Sequence, residues 1–156
     1  MNYTSYGPEQ TKGLAARIGS FVAPGTVFAL WGDLGAGKTT FAQGLARGLD
    51  VMEQVVSPTF ILLNQYQGRL PFYHIDAYRL AGDEAFELGF DELFYEEAVI
   101  LVEWPQNLGA LLPNERIDVM MENFTNFEED TRHLTFKGIN CSIHWLEKIF
   151  CEAKLQ

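Results

Sequence analysis

The chain has 156 residues, 47% of them hydrophobic and 21% charged, enough for a single domain (1–156) that buries roughly two-thirds of its unfolded surface. Its 21 acids against 11 bases give a net charge of −10, and the scattered bases form no stripe, which argues against autonomous nucleic-acid binding. No run approaches the ~18 apolar residues of a membrane span, and the N-terminus shows neither a basic head with an apolar run nor a cleavage site, so a cytoplasmic protein away from membranes is expected.

In chain order, Pro8 suits a first helical position. Leu14, Ile18, Phe21 and Val22 then fall on one helical stripe. The turn 23–26 leads into Val27–Trp31, an apolar run that reads as a fully buried strand. A glycine-rich segment follows, then a helix with Phe41, Leu45 and Leu49 in phase. Residues 59–66 and 72–80 read as two strands, a hairpin around Gln67-Gly68. In the second, Phe72, His74, Asp76 and Tyr78 share one face and place an aspartate in mid-strand.

Residues 83–95 are expected to be helical in short pieces. Between Asp83 and Glu97 stand seven acids and no base, read as a solvated face or, more weakly, as a docking surface for a basic partner. Ala98–Trp104 is a second buried strand stopped by Pro105, followed by a short helix ending near Leu112-Pro113. Arg116–Met121 and Arg132–Gly138 are further strands, with 123–131 a polar loop between them. A C-terminal helix carries Ile143, Leu146, Ile149 and Phe150, and is expected to hold Cys141 and Cys151 as reduced thiols rather than zinc ligands. The pattern predicts an α/β fold: a mixed, mainly parallel sheet flanked by helices, with antiparallel strands added.

The run Gly32-Asp33-Leu34-Gly35-Ala36-Gly37-Lys38-Thr39 fits G-x-x-x-x-G-K-[ST], and it stands between a buried strand and an amphipathic helix as that motif requires. Glycines let backbone N–H groups turn inward around a phosphate chain. The helix aims its positive end at the same anion. Lys38 supplies an ammonium to the outer phosphates, and the Thr39 hydroxyl a ligand for Mg²⁺. Residues 32–39, with Thr40, are therefore the expected nucleotide-binding segment, and the α/β fold is expected to be of the P-loop NTPase kind.

Such a site needs an acid at the end of a neighbouring buried strand. Glu103 ends the run Val99-Ile100-Leu101-Val102, where an unpaired structural carboxylate would be costly. Asp76 is the second candidate, either as a further carboxylate at the metal and water or, alternatively, as an ion-pair partner of Arg79 or a turn cap. Thr59, in Ser57-Pro58-Thr59, either senses the γ-phosphate as switch loops do or merely ends a turn before a strand. The loop predicts a bound nucleoside triphosphate, and the missing Asn-Lys-x-Asp guanine reader constrains the choice of nucleotide only weakly.

With these residues assembled, the sequence resembles the bacterial TsaE (YjeE) family. The matching pieces are GDLGAGKTTF, SPTF, YHIDAYRL, LGFDELF and ILVEWPQ, in that order between Gly32 and Gln106. The resemblance implies an ATPase needed for threonylcarbamoyladenosine beside the tRNA anticodon, acting on a TsaB–TsaD partner complex. It also implies that Lys38 and Thr39 grip phosphates and Mg²⁺, that Asp76 and Glu103 serve the metal and the attacking water, and that Thr59 and Trp104 belong to nucleotide-responsive segments. A small-molecule kinase or a nucleotide-gated binding module using the same loop are the competing readings, although no acceptor site or charged lid is apparent.

Overall fold

The computed structural model describes residues 1–58, 62–80, 84–126 and 129–153. The two apolar runs form the centre of the sheet. β2 (Val27–Trp31) and β5 (Val99–Glu103) are buried along nearly their whole length, as strands covered on both faces must be. They pair in parallel, with Leu30 opposite Glu103. β4 (Pro71–Asp76) runs parallel to β5 on one side, and β6 (Arg116–Asn126) parallel to β2 on the other. Antiparallel strands close both margins: β3 (Leu63–Gln67) beside β4, then β7 (Glu129–Ile139) and β1 (Asn2–Tyr6) beyond β6. The order is β1-β7-β6-β2-β5-β4-β3, a mixed sheet with a parallel centre, as the alternation of elements predicts.

Helices cover the two faces. On one, α1 (Pro8–Phe21) and α2 (Lys38–Gly48) lay Leu14, Ile18, Phe41 and Leu45 over Phe28, Leu30, Leu101 and Phe136. The helix Trp145–Ala153 adds Leu146, Ile149 and Phe150 to the same cluster. The other face is thinner: Phe90 and Leu108 pack on Tyr73, Ile75, Ile100 and Val102. Phe90 comes from the second of two short helices, Glu84–Glu87 and Phe90–Leu93, and Leu108 from a 3-10 turn, Pro105–Leu111.

α1 and α2 cross at very close range. A Cβ on Gly48 would lie 1.9 Å from the Ala16 carbonyl oxygen, so only glycine permits this approach. Arg69, in the β3–β4 turn, then locks the helix ends. Its guanidinium donates to the carbonyls of Gly19 and Val22 (2.8 Å for Val22), and its backbone N–H to that of Leu49. Those carbonyls would otherwise be left without partners at the helix C-termini.

Several expectations need correction. The strand read over 72–80 stops at Asp76, because Asp76 Oδ1 accepts the Tyr78 N–H at 3.0 Å and folds the chain into a turn. The aspartate therefore stands at a strand end and not in mid-strand. The strand read over 59–66 begins at Leu63, after Leu62 at φ 66; residues 59–61 lie outside the described residues. The polar segment 123–131 is not a loop: as far as it is described, β6 and β7 pair out to Asn126↔Glu129. Backbone pairing, which is indifferent to side-chain polarity, carries that hairpin beyond the core.

At the N-terminus, β1 gave no apolar signal, since its sequence NYTSY is stabilised by pairing with β7. Phe21 is 69% exposed while Leu14, Ile18 and Val22 are buried. Cys141 precedes the last helix, its Sγ donating to the Arg116 carbonyl, whereas Cys151 is exposed within that helix; both are free thiols. In the acidic stretch, the Tyr73 hydroxyl donates to Glu96, so that acid ties to the sheet.

Candidate nucleotide site

At the C-terminal end of β2 the chain leaves the sheet through residues 32–37 and enters α2. The loop rests on the hairpin made by β6 and β7. Gly32, at φ 151, would with a Cβ come within 2.4 Å of the Met121 carbonyl oxygen, and Gly37, at φ 100, within 2.8 Å of Arg132 Nε. At Gly32 a larger side chain would lift the loop off this backbone, while at Gly37 the positive φ favours glycine and the Arg132 side chain would have to give way. Gly37 is the N-cap of α2 and provides no side-chain acceptor, so the first amides of the helix keep their donors for an anion. Asp33, Leu34 and Gly35 lie at the loop tip, Ala36 is buried beneath it, and Thr39 and Thr40 open the helix half-buried.

Lys38 is the most constrained residue of the loop. Only 5% exposed, it donates from Nζ to the carbonyls of Gly32 (2.7 Å) and Asp33 (2.8 Å). The same nitrogen lies 4.0 Å from the centroid of the Trp104 ring, a cation–π contact. Burial pulls its pKa below the ordinary lysine value, and the negative charges of Glu103, Asp76 and Asp33 act in the opposite direction. An anionic phosphate entering the loop would relieve that desolvation cost.

Trp104 reaches Lys38 through an unusual backbone. It sits at φ 59, ψ 50, immediately before Pro105, although a residue before proline prefers extended conformations. Such a conformation costs of order 1–3 kcal/mol and persists only where the surroundings impose it. Here it turns the indole back over the loop, against the Tyr78 ring at 4.9 Å between centroids.

The two acids meet because β4 and β5 are parallel and in register, with Asp76 directly opposite Glu103. Both are nearly buried, at 8% and 4% exposure. Thr39 Oγ1 donates to Glu103 Oε1 at 3.3 Å, and His74 Nε2 stands 2.8 Å from the same oxygen. Asp76 Oδ2 accepts from Ser57 Oγ at 2.9 Å while Oδ1 holds the Tyr78 N–H. The turn-cap alternative for Asp76 is thus realised at one oxygen, without removing the carboxylate from the site.

The structure therefore brings together Lys38, Thr39, Asp76, Glu103 and Trp104, which lie far apart along the chain. Thr59 lies outside the described residues. Three residues that sequence reasoning left unassigned belong here. Ser57 precedes Pro58 and is thereby biased to an extended backbone, a signal that could have marked it. His74 shares a strand face with Asp76 by simple alternation. Asn107, whose side chain donates to the carbonyls of Ala77 (2.9 Å) and Tyr78 (3.2 Å), carries no local signal at all.

Among the described residues, no group of three His, Cys, Asp or Glu side chains could hold a metal by itself. One hydroxyl and two carboxylates do suit Mg²⁺, which takes few protein oxygens and completes its shell with water and phosphate. A separate concavity of about 990 Å³ between β1 and α1, lined by Tyr3, Tyr6, Arg17 and Arg47 among others, contains none of these residues. No helix among the described residues is long and apolar enough to cross a membrane.

Comparison with known proteins agrees with this geometry. Residues 5–134 match the family model for "Threonylcarbamoyl adenosine biosynthesis protein TsaE". A Bacillus subtilis protein named tRNA threonylcarbamoyladenosine biosynthesis protein TsaE is 41% identical over 140 residues, covering 89% of this chain and 86% of its own. A Nostoc protein of the same name is 38% identical over 141 residues, covering 86% and 84%. The crystal structure of Bacillus subtilis YdiB superposes with a TM-score of 0.76 at 33% identity, covering 99% of this chain and 94% of that one. A motif set, a fold and a sequence likeness over most of the chain converge, and the chain belongs to the TsaE family.

Proposed function

We propose that this chain is the ATP-binding and ATP-hydrolysing subunit of the system that threonylcarbamoylates the adenosine beside the tRNA anticodon, acting in the cytoplasm on a TsaB–TsaD-like partner complex. The observation that carries the reading is the convergence of Thr39, Asp76 and Glu103 at the mouth of the loop, with the Thr39 hydroxyl already bonded to Glu103. The names of the relatives support the pathway. A net charge of −10 fits a subunit that leaves tRNA binding to its partners.

In this reading the amides of residues 33–39 and the Lys38 ammonium bind the phosphates. Thr39, Glu103 and Asp76 would hold Mg²⁺, which when bound neutralises phosphate charge. Glu103 orients the attacking water through its second carboxylate oxygen. Ser57 fixes Asp76, and Trp104 covers Lys38 until the nucleotide arrives.

The test is turnover of ATP with Mg²⁺ by the purified chain, alone and with a TsaB–TsaD pair. ADP and inorganic phosphate in equal amounts, faster with the pair, are expected. A phosphorylated small molecule formed in step with ADP would overturn the reading in favour of a kinase. Capture of the partner pair in the presence of a non-hydrolysable ATP analogue would support the assignment of partners.

A further inference from the structure

The imidazole of His74 is fully buried, at 0% exposure, yet it satisfies only one of its nitrogens. Nε2 lies 2.8 Å from Glu103 Oε1, while Nδ1 has no hydrogen-bond partner among the described residues. Phe72, two residues earlier on the same face, stacks on the ring with centroids 6.2 Å apart and planes at 18°. As a core filler, histidine is a poor choice here, because an apolar side chain of similar shape would avoid the buried, unpaired Nδ1. The single bond to Glu103 is what distinguishes it from such a side chain. A carboxylate only accepts, so the proton on that bond belongs to Nε2.

The hydrogen bonds to Glu103 among the described residues, from Thr39 and from His74, both fall on Oε1. This makes the carboxylate asymmetric: Oε1 is anchored from the neighbouring strand and from the first turn of α2, and Oε2 is left for what enters the site. Its χ angles are thereby fixed before any nucleotide binds, which is how an orienting group saves reorganisation during the reaction.

We propose that His74 is a positioning residue for hydrolysis, acting through Glu103: its Nε2–H holds Oε1 and so presents Oε2 to the attacking water. The inference rests on the role of Glu103 given above.

The experiment compares His74→Gln, His74→Asn and His74→Leu in the full chain, at saturating ATP and Mg²⁺. A glutamine amide places an N–H close to the position of Nε2, whereas the asparagine amide is too short to reach Oε1. We expect kcat to fall about tenfold or more in the Asn and Leu variants, as for other groups that orient a site ligand. Affinity for a fluorescent ATP analogue should hold within about threefold, and Gln should restore most of the rate. A purely structural role would instead lower thermal stability and kcat together, in Gln as in Leu. In a Glu103→Gln background, His74→Asn should cost nothing further, since the two act as one unit. An additional loss there, or an unaltered kcat in both the Asn and Leu variants, overturns the proposal. Normal turnover by Glu103→Gln alone would refute the role of Glu103 itself, a result separable from any outcome at His74. Should His74→Leu fail to fold, the Asn–Gln pair still decides.

Discussion

The Lys38 ammonium lies against the face of the Trp104 ring, 4.0 Å from its centroid, while donating to two carbonyls of its own loop. The cation that should grip phosphate is therefore engaged by protein groups before nucleotide binds. Lys38→Ala is expected to reduce ATP turnover about a hundredfold or more, the scale of removing a preorganised charge from a transition state, and to weaken nucleotide binding. Steady-state ATPase rates and a binding titration measure the two effects. Turnover at the parent rate would refute the site.

For Asp76, the informative change is to asparagine. The amide retains an oxygen for the Tyr78 N–H, so the turn survives, but the charge facing Glu103 is lost. Thermal unfolding should shift by no more than about 1 kcal/mol, one ordinary hydrogen bond. Mg²⁺-dependent turnover should fall about tenfold or more. Equal losses of stability and activity would instead support a structural role.

The α1–α2 crossing predicts opposite signs for two glycine substitutions. Gly48→Ala drives a Cβ into the Ala16 carbonyl and should destabilise the fold by about 1–3 kcal/mol, as overpacking does. Gly13 lies within α1, and a Cβ there would meet nothing within 4 Å. Gly13→Ala should therefore stabilise by about 0.5–1 kcal/mol through helix propensity. Urea unfolding of both variants checks the pair.

The alkaline limb of stability should carry a contribution from Tyr73. Its hydrogen bond to Glu96, then burial, then the charge of Glu96, raise its pKa above the ordinary value of 10.0. The folded chain therefore keeps the phenol protonated where the unfolded chain ionises, and this stability is complete below pH 10.0 and lost as pH rises through the folded value. Tyr73→Phe should lower stability at neutral pH by about 1 kcal/mol and flatten the decline at alkaline pH. Equilibrium unfolding at several alkaline pH values reads both effects.

Legibility in the sequence followed burial. β2, β5 and the loop 32–39 announce themselves, because strands covered on both faces read as unbroken apolar runs and the phosphate motif has fixed spacing. The margins did not. β1 and the outer part of the β6–β7 hairpin are paired by backbone and carry polar side chains, so periodicity is silent there. Within the site, Lys38, Thr39 and Glu103 were evident from strand and motif together. The bond from Ser57 to Asp76, the one from His74 to Glu103, and the clamp by Asn107 all join residues from different elements, and no local pattern encodes them. Asp76 itself was visible, but its place at a strand end depended on the turn that its own oxygen creates.

The bed beneath the phosphate loop extends the site towards the C-terminal third of the chain. Gly32 lies against Met121 and Gly37 against Arg132, so the curvature of a loop near the N-terminus is moulded by a hairpin made much later in the chain. During synthesis the nucleotide motif emerges long before the surface that shapes it, and a nascent chain cut short of β7 would have the motif without its mould.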